Sequence, residues 1–486
     1  MTGKSPIILW FRRDLRLTDH SALAAAALSG QPIVPVLLLD EAVAGYGAAA
    51  RWRFGRAAEA LAGGLNDIGS RLILRRGKAA DALAALAHET GANAVYWTRL
   101  YDPDARRLGG EVKRALTGKG IEARSFPGHV LFEPQDVETG QGGPYRVYTP
   151  FWRAVKDRPV LAPSAPPRKL AAPETWPSGE SLADWALGAG LKRGEAVLAR
   201  YAAAGEGPAR ERLEAFADVS IALYEARRND LGVWGTSRLS ENLAWGEISV
   251  AACWHAGQRA AAAGKAGAES FLRELVWRDF AYHLAFHSPE ITSLSWREEW
   301  RDFPWSEDET RPEVIAWKRG RTGIELVDAA MREMYATGRM HNRARMVAAS
   351  YLTKHLLADW RIGQRWFADC LTDWDAASNA MGWQWVAGSG PDAAPYFRVF
   401  NPEAQAAKFD PSRLYRRAWI AEGQARPGES ALAYFEAAPK SWGLSPGDPY
   451  PEPVVTAEAG RARALAAYET WRGRGTSVLR RAAGSA

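Results

Sequence analysis

An α/β doubly wound domain built on a parallel sheet, followed by a nearly all-α domain, is the architecture that this 486-residue sequence predicts. Short β-branched runs alternate with Ala-rich amphipathic stretches through the first third of the chain. Such alternation argues for a parallel sheet with crossover helices. After Lys192 strand signal is scarce, and helical patterns continue to about Trp471. A third observation, the 22 tryptophans, bears on function. Leu and Val would fill a core equally well, so the excess of indole points to ring chemistry or stacking surfaces.

Taken in order, the expected strands are Pro6–Trp10, Ile33–Leu39, Leu72–Arg75, Ala94–Trp97 and Ile121–Ser125. Between them lie helical patterns at Ala22–Leu28, Arg51–Ile68, Ala79–Thr90 and Arg106–Thr117. A ligand of such a domain sits at the carboxyl ends of its strands. From about Leu131 the periodicity dissolves, and the Pro- and Ser-rich stretch Ala162–Glu180 reads as a linker over the surface. The residues at the end of the chain, SVLRRAAGSA, are expected to fray.

Composition narrows the function classes. With 47% hydrophobic and 24% charged residues the chain has the make-up of an ordinary globular protein. No apolar run approaches a membrane span and no signal peptide is expected. Cys253 and Cys370 are the only cysteines, too few for a disulfide framework or an iron–sulfur cluster, and a cytoplasmic location is expected. A net charge of +6 permits nucleic-acid binding without demanding it.

Some motifs are weak. Gly45-Tyr46-Gly47 with Ala50 imitates a dinucleotide-binding loop, but it follows the second strand and lacks a suitably placed acid. His283 and His287 share a helix face as metal ligands could, without an evident third ligand; packing is the simpler reading. Others carry more. In ELVWRDF, Glu274, Trp277 and Arg278 fall on one helix face, where ring, carboxylate and guanidinium could hold a flat polar ligand; a surface ion pair is the competing reading. In MHNRARM, Asn342, Arg345 and Met346 share a face, with Arg343 on an adjacent one. Thr236, Ser237, Arg238, Leu239 and Ser240 place hydroxyls just before a helix, as a phosphate site or a plain N-cap would. The stretch Asp373–Pro402, DWDAASNAMGWQWVAGSGPDAAPYFRVFNP, brings Asp373, Asp375, Asn379 and the pair Trp383 and Trp385 into one segment.

Together, ILWFRRDLRLTDH at 8–20, TPF at 149–151, TSRLSENLAWGEIS, ELVWRDF, TGRMHNRARM, LTKHLLADWRIGQRWF and the Asp373–Pro402 segment resemble the photolyase/cryptochrome family over almost the whole chain. The resemblance implies a Rossmann-like antenna-binding domain over 1–130, a linker over 131–198, an all-α FAD-binding domain over 199–475 and a frayed tail at 476–486. Carried over by position, Tyr224, Thr236, Ser237, Arg238, Leu239 and Ser240 hold the FAD phosphates and ribityl chain. Phe271 and Arg278 contact the cofactor, Asp373 and Asp375 meet the ribose and the pyrimidine edge of the flavin, and Asn379 faces its central-ring nitrogen. For a flipped pyrimidine dimer, Glu274 hydrogen-bonds the thymine edge, Trp277 and Trp385 form two walls, and Asn342 and Met346 line the floor. Arg228, Arg343 and Arg398 clamp phosphates of the damaged DNA. Trp383, Trp360 and Trp305 match an electron-hopping triad leading from the flavin to the surface. Repair then runs by one-electron transfer from excited reduced flavin to the dimer and back.

Within the family, Asn379 and the intact Glu274, Trp277 and Trp385 favour a cyclobutane pyrimidine dimer photolyase over a cryptochrome photoreceptor. A six-four photolyase, which uses a His pair in the MHNRARM helix, is disfavoured by Asn342 and Met346. Methenyltetrahydrofolate is the expected antenna, with a deazaflavin or an empty pocket as alternatives, and a monomer is expected.

Overall fold

The computed structural model describes residues 4–392, 395–396 and 398–483, those beyond 473 as backbone only. Five parallel strands, β1 (Ile7–Phe11), β2 (Ile33–Leu39), β3 (Ile73–Arg76), β4 (Ala94–Thr98) and β5 (Glu122–Phe126), form one sheet in the order β3-β2-β1-β4-β5. Ile7 stands opposite Ile33 on one side and Ala94 on the other. Strands β1, β2 and β4 are apolar for nearly their whole length because helices cover both faces of the sheet, whereas the edge strand β3 ends in Arg75 and Arg76. These helices are α1 (Ser21–Leu28), α2 (Ala48–Asp67), α3 (Ala79–Thr90) and α4 (Pro103–Thr117). The strand order reverses between β1 and β4, so a crevice opens there at the carboxyl ends of the strands.

The expected strands lie within one residue of those observed. Two helices begin three residues earlier than expected. The second starts at Ala48, directly after Gly47. The fourth starts at Pro103, because Asp102 accepts the Ala105 N–H at 3.0 Å and proline suits the first helical position.

The helical part contains α5 (Tyr148–Val155), α6 (Ser240–Trp245), α7 (Val250–Ala262), α8 (Ala268–His287), α9 (Glu325–Thr337), α10 (Asn342–Ser350), α11 (Trp360–Cys370), α12 (Ala376–Ala387) and α13 (Ala457–Ala483) as its principal helices. Helix α12 is the hub, packed against α8, α10 and α11. The stretch 131–198 is more ordered than its composition suggests, since α5 packs on α8. Ala162–Glu180 carries no helix or strand and straps the first domain, with Ser164 and Ala171 carbonyls accepting from Asp19 and Ile33. Of the tail at 476–486, residues up to 483 continue α13 and 484–486 lie outside the described residues.

The two parts are joined by buried charge. Arg53 of α2 donates to Glu241 at 2.5 Å and to Glu247 at 2.5 and 2.9 Å, all three side chains being inaccessible. Gly246, at φ +68°, ends α6 so close to β1 that a Cβ there would lie 2.1 Å from the Arg13 carbonyl oxygen; only glycine fits. Gly47 likewise abuts the Ala368 backbone, so the Gly45–Gly47 loop is an interdomain contact. No helix among the described residues is long and apolar enough to cross a membrane.

Candidate active site

Helices α10, α11 and α12 enclose a cavity of about 170 Å³, whose lining includes Arg345, Asp373, Asp375, Asn379 and Trp383, with Asn342 and Met346 on its α10 side. Asp373 and Asp375 lie just before α12 and meet different cations. Arg345 holds one Asp373 oxygen at 2.7 Å, while the other, Oδ1, is buried without a partner. Asp375 caps α12 by accepting the Ser378 N–H at 2.8 Å and pairs with Arg13 at 3.3 Å; it also accepts from the Tyr282 hydroxyl. Burial pushes the Asp375 carboxyl up, but Arg13, then Arg278 and these hydrogen bonds, hold it below the usual carboxylate range. Asn379 donates through Nδ2 to the Gln364 carbonyl at 3.2 Å.

Alternation along α12 separates its two tryptophans. Gln384 between them is locked by the carbonyls of Ile291 and Leu294 and by the Trp296 N–H. Trp383 turns inward against Phe367 (ring centroids 4.8 Å apart) and Trp317 (6.1 Å). Trp385 is half-buried and packs, like Met346, at the edge of the same apolar cluster. Trp360, fully buried with no partner for its indole N–H, stands on the neighbouring α11. Backbone pairing ties the Trp305–Ser306 segment to the start of α11, as Ser306 donates to the Leu357 carbonyl and accepts from Asp359 N–H, both at 2.8 Å. Trp305 itself stacks on Trp300 at 5.8 Å and donates to the Thr353 carbonyl.

Helix α8 supplies the next group. Phe271 meets Tyr224 edge-on at 5.9 Å. Glu274 accepts from Arg228, and Trp277 stacks on Tyr148. Arg278 donates to the His129 carbonyl at 2.7 Å. Leu239 is the N-cap of α6, and among the described residues the hydroxyls of Thr236, Ser237 and Ser240 make no hydrogen bond with the protein, so none acts as a plain cap. Arg238, at φ +54°, lays its guanidinium 3.5 Å over Trp234. Arg343 donates to Asn229 at 2.7 Å and covers the Phe409 ring. Arg398 is exposed and separate from these, its carbonyl accepting from Lys354; Phe397 beside it lies outside the described residues. The His283–His287 pair is packing: His283 accepts the Tyr145 N–H at 3.0 Å, and no metal-binding cluster occurs among the described residues.

Sequence reasoning missed Arg13, Tyr282 and Trp374. Arg13 carries the one available signal, a run of charges directly after an apolar strand. Trp374 lines both the cavity just described and a second one of about 270 Å³ at the β1, β2 and β4 strand ends, where Asp40, Asp102 and Tyr46 also stand. A third cavity, about 300 Å³, is basic, with Arg12, Arg99, Arg106 and Lys113 in its lining.

The fold is a parallel-sheet domain joined to a helical domain whose pocket is ringed by acids, an amide and tryptophans. The profile of the FAD binding domain of DNA photolyase matches residues 271–470, and that of DNA photolyase matches 7–171. The chain is 43% identical to the deoxyribodipyrimidine photo-lyase of Agrobacterium fabrum over 96% of its own length and 98% of the relative's. It is 33% identical to cryptochrome-1 of Arabidopsis thaliana, covering 94% of this chain and 69% of that one. The crystal structure of a bacterial class III photolyase from Agrobacterium tumefaciens superposes with a TM-score of 0.87 at 41% identity, over 97% and 99% of the two chains. The chain belongs to the DNA photolyase family.

Proposed function

We infer that this protein is a deoxyribodipyrimidine photo-lyase, which splits cyclobutane pyrimidine dimers in DNA by the energy of light. The observation that carries this reading is the 43% identity over nearly the full length of both chains to an enzyme of that name. The unpartnered Asp373 Oδ1 in the α10–α12 cavity and the unengaged hydroxyls of Thr236, Ser237 and Ser240 are suited to a ligand with ring N–H, ribose and phosphate groups, as FAD has.

The chemistry FAD supplies when bound is donation of one electron from its reduced, photoexcited form and recovery of that electron after the ring opens. The chain's own residues do the rest. Asp373, held by Arg345, accepts from ribose, and Asp375, kept ionised by Arg13, accepts from the pyrimidine edge. Arg278, Phe271, Tyr224, Arg238 and Leu239 complete the cofactor's bed, and Asn379 offers its amide oxygen to the central ring while its N–H₂ is tied to Gln364. Glu274 binds the thymine edge of a dimer flipped between Trp277 and Trp385, over Asn342 and Met346. Arg228, Arg343 and Arg398 hold phosphates, Arg228 exchanging its Glu274 partner for the DNA. Trp383, Trp360 and Trp305 conduct electrons inward from the surface to oxidised cofactor.

The antenna is methenyltetrahydrofolate, and the basic cavity of Arg12, Arg99, Arg106 and Lys113 suits its anionic tail. A deazaflavin in the strand-end cavity is the second reading: Asp40, Asp102 and the Tyr46 ring in its lining suit a flat heterocycle with polar edges. The enzyme works as a cytoplasmic monomer.

Expression in a repair-deficient bacterium tests the function. Survival after ultraviolet irradiation should rise in visible light and stay unchanged in the dark. Equal survival in both would leave a light receptor as the better reading.

A further inference from the structure

We propose that Tyr148 is the positioning residue that fixes the plane of Trp277 and thereby presents one face of that indole to a flipped pyrimidine dimer. The inference rests on the reading of Trp277 as a lesion wall. The two rings lie 3.6 Å apart at 8°, a face-to-face stack. Tyr148 is 2% exposed whereas Trp277 is half-buried, so the tyrosine covers the inner face and leaves the outer one free.

Tyr148 is itself held at three points. Its hydroxyl donates to the Arg273 carbonyl at 2.7 Å, one turn before Trp277 on α8 and the acceptor that helix geometry assigns to the Trp277 N–H. Its own N–H donates to Asp392 at 3.3 Å. Phe280 meets both rings edge-on, at 5.9 Å from Tyr148 and 5.8 Å from Trp277. Asp392 lies five residues beyond Ala387, the last residue of α12, so the backing of Trp277 is tied to the segment leaving the helix that carries Trp385. An indole alone on a helix surface samples several rotamers, and stacking on a ligand would have to freeze them. Tyr148 has already selected one, which lowers the entropic cost of binding.

The test uses reduced, FAD-loaded full-length protein and oligothymidine with and without one cyclobutane dimer. Tyr148→Leu should weaken dimer affinity about three- to tenfold, the range of a lost ring stack. Affinity for undamaged strand, flavin content and the repair rate at saturating substrate should be unchanged, so the loss falls in KM rather than kcat. Tyr148→Phe keeps the stack and should restore most of the affinity. In a Trp277→Ala background, Tyr148→Leu should cost nothing further. Tyr148→Met, close in volume but unable to stack, carries the same expectation should the leucine variant fail to fold. Wild-type affinity in the leucine or methionine variant, an equal loss in the phenylalanine variant, or full additivity with Trp277→Ala would overturn the proposal. If Trp277→Ala alone left dimer affinity unchanged, the lesion-wall reading would fall instead.

Discussion

Arg13, two residues past the first strand, reaches across the domain boundary to Asp375, the N-cap of the helix that carries Asn379, Trp383 and Trp385. The same guanidinium donates to the carbonyls of Ala244 at 2.8 Å and Trp374 at 3.1 Å. One residue of the α/β domain thus fixes the start of α12, closes the gap to α6 and helps to keep the Asp375 carboxylate ionised. The parallel-sheet domain is a structural part of the proposed cofactor site.

Removing Arg13 leaves Asp375 buried without its cation. Breaking a buried pair from one side costs about 3–5 kcal/mol. Arg13→Ala should therefore lower the melting temperature by several degrees and release FAD during purification. A variant with native Tm and full flavin content would show the pair to be dispensable.

Acid should loosen the start of α10, at the proposed flavin site, through His341. Burial first, then Arg343, Arg345 and Arg238, pushes its imidazole down to about 4 from 6.5. Its Nδ1 caps α10 by accepting the Arg343 N–H at 3.1 Å, which protonation of that nitrogen would abolish. Because the folded value lies below the unfolded one, the contribution to stability is complete above pH 6.5 and is lost as pH falls towards 4, up to about 3 kcal/mol. His341→Asn, which caps without titrating, should flatten stability against pH across that window, read from urea unfolding at pH 4.5, 5.5 and 7. An unchanged slope would assign the acid sensitivity elsewhere.

Gly363 of α11 lies against the Trp383 ring, and a Cβ there would come within 2.0 Å of it. Gly363→Ala must displace a buried indole, and overpacking of this kind costs about 1–3 kcal/mol. The substitution should lower stability even though alanine is the better helix former by about 1 kcal/mol. A gain in Tm would mean that Trp383 has room to move.

The tryptophan chain separates from repair in its readout. Trp360→Phe and Trp383→Phe should slow light-driven reduction of bound FAD at least tenfold, measured by bleaching of the oxidised flavin band. Repair by protein reduced chemically beforehand should continue at the native rate. Loss of repair after chemical reduction would place these rings in the dimer reaction itself.

Much of this molecule is readable in the sequence where the signal is local. The strands came through because most are short apolar runs bounded by turn residues, and the neighbourhood of Asp373, Asp375, Asn379 and Trp383 was legible because these residues share one cap and one helix. Distant relationships are a different matter. Arg13 and Asp375 are 362 positions apart, and nothing in either neighbourhood names the other. Tyr148 sits in a short helix inside the stretch 131–198, where the periodicity dissolves, so its stack on Trp277 is visible only in three dimensions. The early start of α4 was legible in principle, since Asp102-Pro103 is a cap followed by a first-turn proline.

The most direct measurement is absorbance in the thymine band of dimer-containing oligothymidine, illuminated with blue light in the presence of chemically reduced, FAD-loaded protein. The absorbance should recover in the light, remain flat in the dark, and recover far more slowly with the Glu274→Ala, Trp277→Ala double variant. A photoreducible bound FAD with no recovery in the light would contradict the assignment of dimer repair to this chain.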